Sequence, residues 1–312
     1  MFSVILNQTE MLVIYILIGV IGVKSGALSK DTLDQLSRYV MKIALPVMIF
    51  ASSTSRITAN EGRSALIIFA AAAVVYIVLF AAAFGFSKLF RLEKDRGRLY
   101  CALSAFGNIG FIGLPIIVAA FPERGILYLA IYSILDQGLL WTVGMKLSTP
   151  SDKFQKAGTL QTLKRFMNPA FAALILGAVR MFTGFPLPAI LDATLTKVGA
   201  TATPVSLIYI GGLFCYAYIS KYVRRAEYFA IAAFKMILVP ILIVAAFKML
   251  GLNGEIGMTL ALLEGLPTVT ALAMMANANG SDGDYAIGAI FITTIACIVT
   301  LPAVSYIAGM IM

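Results

Sequence analysis

The sequence predicts an all-α integral membrane protein, with ten transmembrane helices arranged as two inverted five-helix repeats. Three observations carry that reading: the composition, the number of apolar segments, and a pair of proline landmarks that recurs in each half. Hydrophobic residues make up 60% of the 312-residue chain and charged residues 12%, with a mean hydropathy of +0.93. A soluble domain carries about 25% charged residues, and a soluble core grows slowly with chain length. This much apolar surface has to face lipid. Ten spans of about 20 residues use about 200 residues and leave about a third of the chain for loops. A soluble enzyme, a secreted disulfide scaffold and a disordered chain are excluded.

The apolar segments fall at 9–24, 38–55, 64–87, 98–121, 126–147, 168–183, 193–216, 226–250, 257–278 and 285–311. Each reads as a helix, because only helices and closed barrels satisfy their own backbone in lipid. The first lacks a basic leader and a small-residue cleavage site, so it reads as a span rather than a signal peptide. Basic residues then orient the chain. Lys24, Lys30 and Arg38 flank the first loop; Lys88, Arg91, Lys94, Arg96 and Arg98 the third; Lys146, Lys153, Lys156, Lys164 and Arg165 the fifth; Lys221, Arg224 and Arg225 the seventh. The alternate loops hold only Arg56, Arg63, Arg124, Arg180, Lys197 and Lys248. The positive-inside rule places the richer loops in the cytoplasm and both termini outside a cell membrane. Lys42 lies a turn from a cytoplasmic end and is expected to snorkel. The loop around Asp282 and Asp284 has no basic residue and does not vote.

The longest loop, 148–167, divides the chain into a first repeat (1–147) and a second (168–312). It reads as a cytoplasmic linker, with room for a short amphipathic helix on the membrane surface. Ala44-Leu45-Pro46-Val47 in the second span is echoed by Ala202-Thr203-Pro204-Val205 in the seventh, and Gly113-Leu114-Pro115 in the fourth by Gly265-Leu266-Pro267 in the ninth. The separations are 158 and 152 residues. Five spans per half is an odd number, so the second half is inverted. Inverted repeats with broken helices mark secondary transporters.

His is absent, and Cys101, Cys215 and Cys297 lie in apolar runs without paired spacing. Imidazole bases, zinc sites and a disulfide framework are not expected, no cofactor is expected, and no catalytic dyad points to an enzyme. The formal charge of +9 reports topology here, not nucleic-acid binding. The chemistry concentrates in two spans. The fourth holds Gly107, Asn108, Gly110, Gly113 and Pro115. Proline removes an N–H and clashes with the preceding turn, so a break is expected near Pro115, and the half-helix after it suits an anion. Asn108 can donate to and accept from a ligand. The ninth span holds Glu264, Pro267, Thr268 and Thr270; the threonines can satisfy freed backbone or touch a ligand. If the two spans cross at their breaks, Asn108, Pro115, Glu264, Pro267 and Thr268 gather near the midplane. The blander reading is a kinked packing helix whose glycines allow close approach.

Asp136, Glu264 and Lys235 sit inside spans, where a charge costs at least about 2.5–3.5 kcal/mol. Each is expected to face the protein interior. Either carboxylate can serve as a site for a coupling ion, H⁺ or Na⁺, or Lys235 can pair with one and tie helices together.

These motifs resemble the auxin efflux carrier family, whose bacterial members include proteins assigned to malate and malonate transport. The match rests on Ala44-Leu45-Pro46 with Phe50, on Asn108 followed by Gly113 and Pro115, on Asn168-Pro169, on Leu266-Pro267, and on Thr300-Leu301-Pro302. It covers the whole chain. The resemblance implies a fold like that of bacterial sodium/proton antiporters, with helices 1, 2, 6 and 7 as scaffold. Helices 3–5 and 8–10 would move, with 4 and 9 crossing at their prolines. It implies homodimers through the scaffold. It also implies that Asn108 meets a substrate carboxylate. Two departures stand out: the long central loop of the plant carriers is missing, and Glu264 replaces a small or apolar residue. The expected function is secondary active transport of small organic anions (malate, malonate or auxin-like carboxylates). A sodium/proton-type exchanger on the same fold is the alternative.

Overall fold

In a computed structural model of the chain, described over residues 2–52, 62–121, 124–155, 169–216, 221 and 224–312, every regular element is helical. We number them α1 (Phe2–Lys24), α2 (30–52), α3 (Gly62–Leu89), α4 (Lys94–Ala105), α5 (Ile109–Ala120), α6 (125–147), α7 (Ser151–Gln155), α8 (Pro169–Thr183), α9 (Ala189–Tyr216), α10 (Ala226–Met249), α11 (Gly254–Glu264), α12 (Ala271–Asn279) and α13 (Gly283–Ile311). Arg56, Lys164, Arg165 and Asn168, with most of the 148–167 linker, lie outside the described residues. Of that linker, residues 148–155 lie within them, with the short α7 at Ser151–Gln155.

Among the described residues, five helices, α1, α3, α9, α10 and α13, are long and apolar enough to cross a membrane. Of the most apolar stretches of α1 and α3, only 22% and 28% is buried. Helices this apolar and this exposed are lipid-facing. The apolar segments locate the helices but misjudge their ends. α2 begins at Lys30, where Ser29 accepts from the Thr32 N–H at 3.1 Å. Its first turns, Lys30–Tyr39, are polar, and hydropathy does not see them. Lys42 is exposed, in keeping with a stem that reaches toward water.

Prolines shape the helices in a repeated way. Wide, five-residue turns at Val40–Ala44, Ile109–Gly113 and Phe234–Leu238 each end two residues before a proline: Pro46, Pro115 and Pro240. Proline cannot complete the i→i−4 ladder, and a wide turn just before it shifts the bonds to i→i−5, so the helix continues. A fourth wide turn, Leu140–Gly144, has no proline after it.

Helices α1, α2, α8 and α9 pack mainly on one another, and α3–α6 with α10–α13 form the other body. The α1–α9 crossing is close because of two glycines. A Cβ on Gly19 would fall on the Ile208 carbonyl, and one on Gly211 on that of Ile16. Small residues permit such approach in membrane bundles. The loops richest in basic residues meet at one end. There Arg96 pairs with Asp282 at 2.9 Å, Asp95 accepts from the Ser151 N–H at 3.0 Å, and Lys153 donates to the Asn279 carbonyl at 3.2 Å.

Candidate functional site

The fourth and ninth apolar segments are each broken, and the breaks touch. α4 ends at Ala105 and α5 starts at Ile109; α11 ends at Glu264 and α12 starts at Ala271. Between them, Gly107 and Thr268 form an antiparallel bridge. Asn108 N–H donates to the Pro267 carbonyl at 2.8 Å, and Val269 N–H to the Phe106 carbonyl at 3.1 Å. Backbone groups freed in lipid need protein partners, and here each break supplies the other's.

The crossing corrects one expectation. The first break lies at 106–108, not at Pro115. The wide turn Ile109–Gly113 absorbs Pro115, which sits in the first turn of the regular helix Leu114–Ala120. Pro267 does lie in its break. The two Gly-Leu-Pro motifs therefore take unlike positions, and the helices cross at Gly107 and Thr268 instead of at both prolines.

Asn108 caps the start of α5, 1% exposed, and neither atom of its amide has a hydrogen-bond partner among the described residues. A buried unsatisfied amide is unusual and calls for an explanation. Gly113 is buried behind Leu266. Thr268 is a strut: its hydroxyl donates to the Leu103 carbonyl at 2.9 Å, and its N–H to Thr293 Oγ1 at 3.2 Å. The buried Thr270 hydroxyl, like the Asn108 amide, has no hydrogen-bond partner among the described residues.

Lys235 is 1% exposed and comes from the wide turn of α10. The expected direct pair with a carboxylate is not among the ion pairs of the described residues. Its ammonium donates to the carbonyls of Glu264 at 3.1 Å and Leu266 at 2.7 Å. Those carbonyls end α11, where the helix dipole is negative and its acceptors have lost their partners. A cation satisfies both needs. Gly107 gives it room, since a Cβ there would stand 3.1 Å from Lys235 Nζ.

The carboxylates find other partners. Asp136 is fully buried, accepting from Tyr76 on Oδ1 and from Gln137 Nε2 on Oδ2 at 2.7 Å. Trp141 Nε1 holds Gln137 from the next turn at 3.1 Å. Glu264 accepts from Tyr132 at 2.5 Å, and the Tyr132 and Tyr76 hydroxyls lie 3.3 Å apart. Tyr76, Tyr132, Gln137 and Trp141 were not singled out from sequence as site residues. The only sequence signal was that Tyr132 and Asp136 are four residues apart, on one helix face.

A cavity of about 50 Å³ lies against the start of α5. Ile109, Gly110 and Leu114 form one wall, and Ser52, Ser133 and Gln137 supply its polar side chains. On the other side of α5 a groove of about 410 Å³ runs along Tyr15, Pro115, Thr203 and Pro204. The half-helix after Asn108 thus separates two spaces at the junction of the two helical bodies, and both Pro115 and Pro204 face the second.

Comparison with known proteins agrees with this architecture. The family described as membrane transport protein, to which the resemblance to auxin efflux carriers points, matches residues 4–305. An "Uncharacterized transporter" of Methanothermobacter thermautotrophicus is 23% identical over 293 residues, covering 93% of each chain. A protein of Rhizobium meliloti named "Putative malonate transporter" is 23% identical over 283 residues, 89% of this chain and 87% of that one. Apolar lipid-facing helices, two interlocked helix breaks and a match of this length agree: the chain belongs to the membrane transport protein family, the auxin efflux carriers.

Proposed function

We propose that this chain is a secondary active transporter of small organic anions, and that dicarboxylates such as malonate or malate are the class to test first. The observation that carries the reading is the Asn108 amide, buried at a helix start with both polar atoms unpartnered. An amide donor at a helix N-terminus suits a carboxylate. Thr270 offers a second free hydroxyl in the facing segment. In this reading Asn108 and Thr270 touch substrate. Gly113 and Pro115 shape the half-helix behind it, and Pro267 and Thr268 hold the crossing. The relative from Rhizobium meliloti supports malonate as the first anion to try.

The chain is read as two inverted five-helix repeats (1–147 and 168–312) joined by a cytoplasmic linker. It would sit in the cell membrane with both termini outside, as the positive-inside rule favours. Alternating access would move α3–α6 and α10–α13 against α1, α2, α8 and α9. A homodimer would form through the second group. Asp136 and Glu264, with Lys235 beside them, would couple transport to H⁺ or Na⁺.

The test is uptake of labelled malonate and malate into proteoliposomes under imposed pH or Na⁺ gradients. Gradient-driven uptake lost in Asn108→Ala supports the reading. A cation exchanger is the second reading, favoured by two buried carboxylates linked through the hydroxyls of Tyr132 and Tyr76. It wins if neither anion is taken up and the same vesicles dissipate a pH gradient on addition of Na⁺.

A further inference from the structure

We infer that the coupling ion is a single proton, held between Asp136 and Glu264 and passed between them through the hydroxyls of Tyr132 and Tyr76. The inference rests on the transporter reading above, fixes its coupling ion and assigns two further residues to it. Four oxygens lie in a row: Glu264 Oε1, Tyr132 Oη, Tyr76 Oη and Asp136 Oδ1. They come from α11, α6, α3 and α6 again, and none of the four residues is more than 2% exposed.

Such a row has three gaps, and each takes one hydrogen. The two phenols bring two. With both carboxyls ionised, each phenol gives its hydrogen to its own carboxylate, and the Tyr132–Tyr76 contact is left with lone pairs facing each other. One added proton fills that gap. With the proton on Glu264, its O–H donates to Tyr132, Tyr132 donates to Tyr76, and Tyr76 donates to Asp136. With the proton on Asp136, every bond reverses. Transfer from Glu264 to Asp136 breaks one O–H bond at each of Glu264, Tyr132 and Tyr76. It forms one at each of Tyr132, Tyr76 and Asp136. One negative charge moves the opposite way, and no tyrosinate is left behind. A second proton has no gap to fill, and buried polar groups favour the fully bonded arrangement.

Charge balance gives the same count. Among the described residues, the charged and titratable groups acting on the row from the elements around it are Lys235 from α10 and, beside Lys235, Cys297 from α13. One proton leaves the carboxyl pair with one negative charge, which the Lys235 ammonium matches. With no proton, the site carries a net buried charge, which is costly. A sodium ion fits less well. Three of the four carboxylate oxygens already accept from neutral donors, and an ammonium stands beside them.

Gln137 joins the row to the cavity beside the start of α5. Its Nε2 donates to Asp136 Oδ2, and its side chain lines the cavity against α5. A proton arriving on Asp136 weakens that acceptor, and the change is felt at the cavity wall.

The experiment uses Tyr132→Phe, which removes one oxygen from the row and keeps both carboxyls, Lys235 and the ring packing. Proteoliposomes carrying a pH-sensitive dye report protons and labelled malonate together. Wild type should move about one proton per malonate, and the variant close to none, as for a cut relay. Structural damage alone lowers both fluxes together and leaves their ratio unchanged, so an unchanged ratio overturns the inference. So does accumulation driven by a Na⁺ gradient at fixed pH. A second measurement stands if the variant misfolds or if neither malonate nor malate is a substrate. Infrared spectra of the purified wild-type protein near neutral pH should show one protonated buried carboxyl, altered in both Asp136→Asn and Glu264→Gln. A spectrum with none, or with two, overturns the proton count whatever the substrate proves to be. A substrate failure with one protonated carboxyl overturns only the anion reading.

Discussion

The two helix breaks meet face to face and are finished differently. At the second, the opening is held tightly: Lys235 takes the carbonyls of Glu264 and Leu266, and Thr268 ties both its hydroxyl and its N–H to neighbours, while the Thr270 hydroxyl at its far end has no partner among the described residues. At the first, the backbone is satisfied by the second break, but the Asn108 amide is left open. One break is a strut and the other offers a contact. Breaking a helix in lipid is expensive, and the two breaks offset that cost through each other while keeping one amide free for a ligand.

The largest effect that would sharpen this comparison is functional. Losing hydrogen bonds to a charged group costs about 1.5–3 kcal/mol. Asn108→Ala should therefore lower malonate uptake about tenfold to a hundredfold, while the melting temperature in detergent holds, because the native amide has no protein partner to lose. Loss of melting temperature without loss of uptake would break the comparison. The opposite pattern is expected at the other break. Lys235→Met strips two buried carbonyls of their donor, at about 1–3 kcal/mol each, and should give the largest fall in thermal stability among these variants. Thr268→Val removes one hydroxyl bond to Leu103 and should cost about 1 kcal/mol, read as a smaller shift in the same melt. Thr270→Val is smaller still in stability, within about 0.5 kcal/mol, since its hydroxyl has no protein partner. A fall in malonate affinity there would place Thr270 with Asn108, and no change would leave Asn108 alone.

The smallest effect concerns the polar end. Asp95 is partly buried, which pushes its carboxyl up, but hydrogen bonds from Ser151 and the nearby Arg98 charge outweigh that and hold it below the usual 3.8. A carboxyl lowered by folding stabilises the fold fully above its unfolded value and loses that contribution as pH falls through its folded one. Acid should therefore loosen α7 from the start of α4, seen as faster proteolysis at 151–155 below about pH 4. Asp95→Asn should show the loosened state at neutral pH.

Much of the frame was legible in the residues. Prolines and glycines flagged both broken segments. Asp136, Glu264 and Lys235 do face the interior, as the cost of a charge in lipid requires. The register of the crossing was not legible. Pro115 marks a break in sequence, yet a wide turn takes up its missing N–H and the chain opens earlier, at Gly107 and Asn108. Hydropathy cannot tell a wide turn from an open break, because both are decided by which backbone groups find partners.

The sequence by itself determined the solvent, the class of element and the list of costly residues. Those follow from transfer free energies and from proline's missing donor, which are properties of single residues. Only the tertiary structure decided the partners: Lys235 on carbonyls rather than carboxylates, Thr268 as a strut, and Tyr76 and Tyr132 between Asp136 and Glu264. Hydrogen bonds act over about 3 Å, and the residues that come that close are separated by up to 186 positions along the chain.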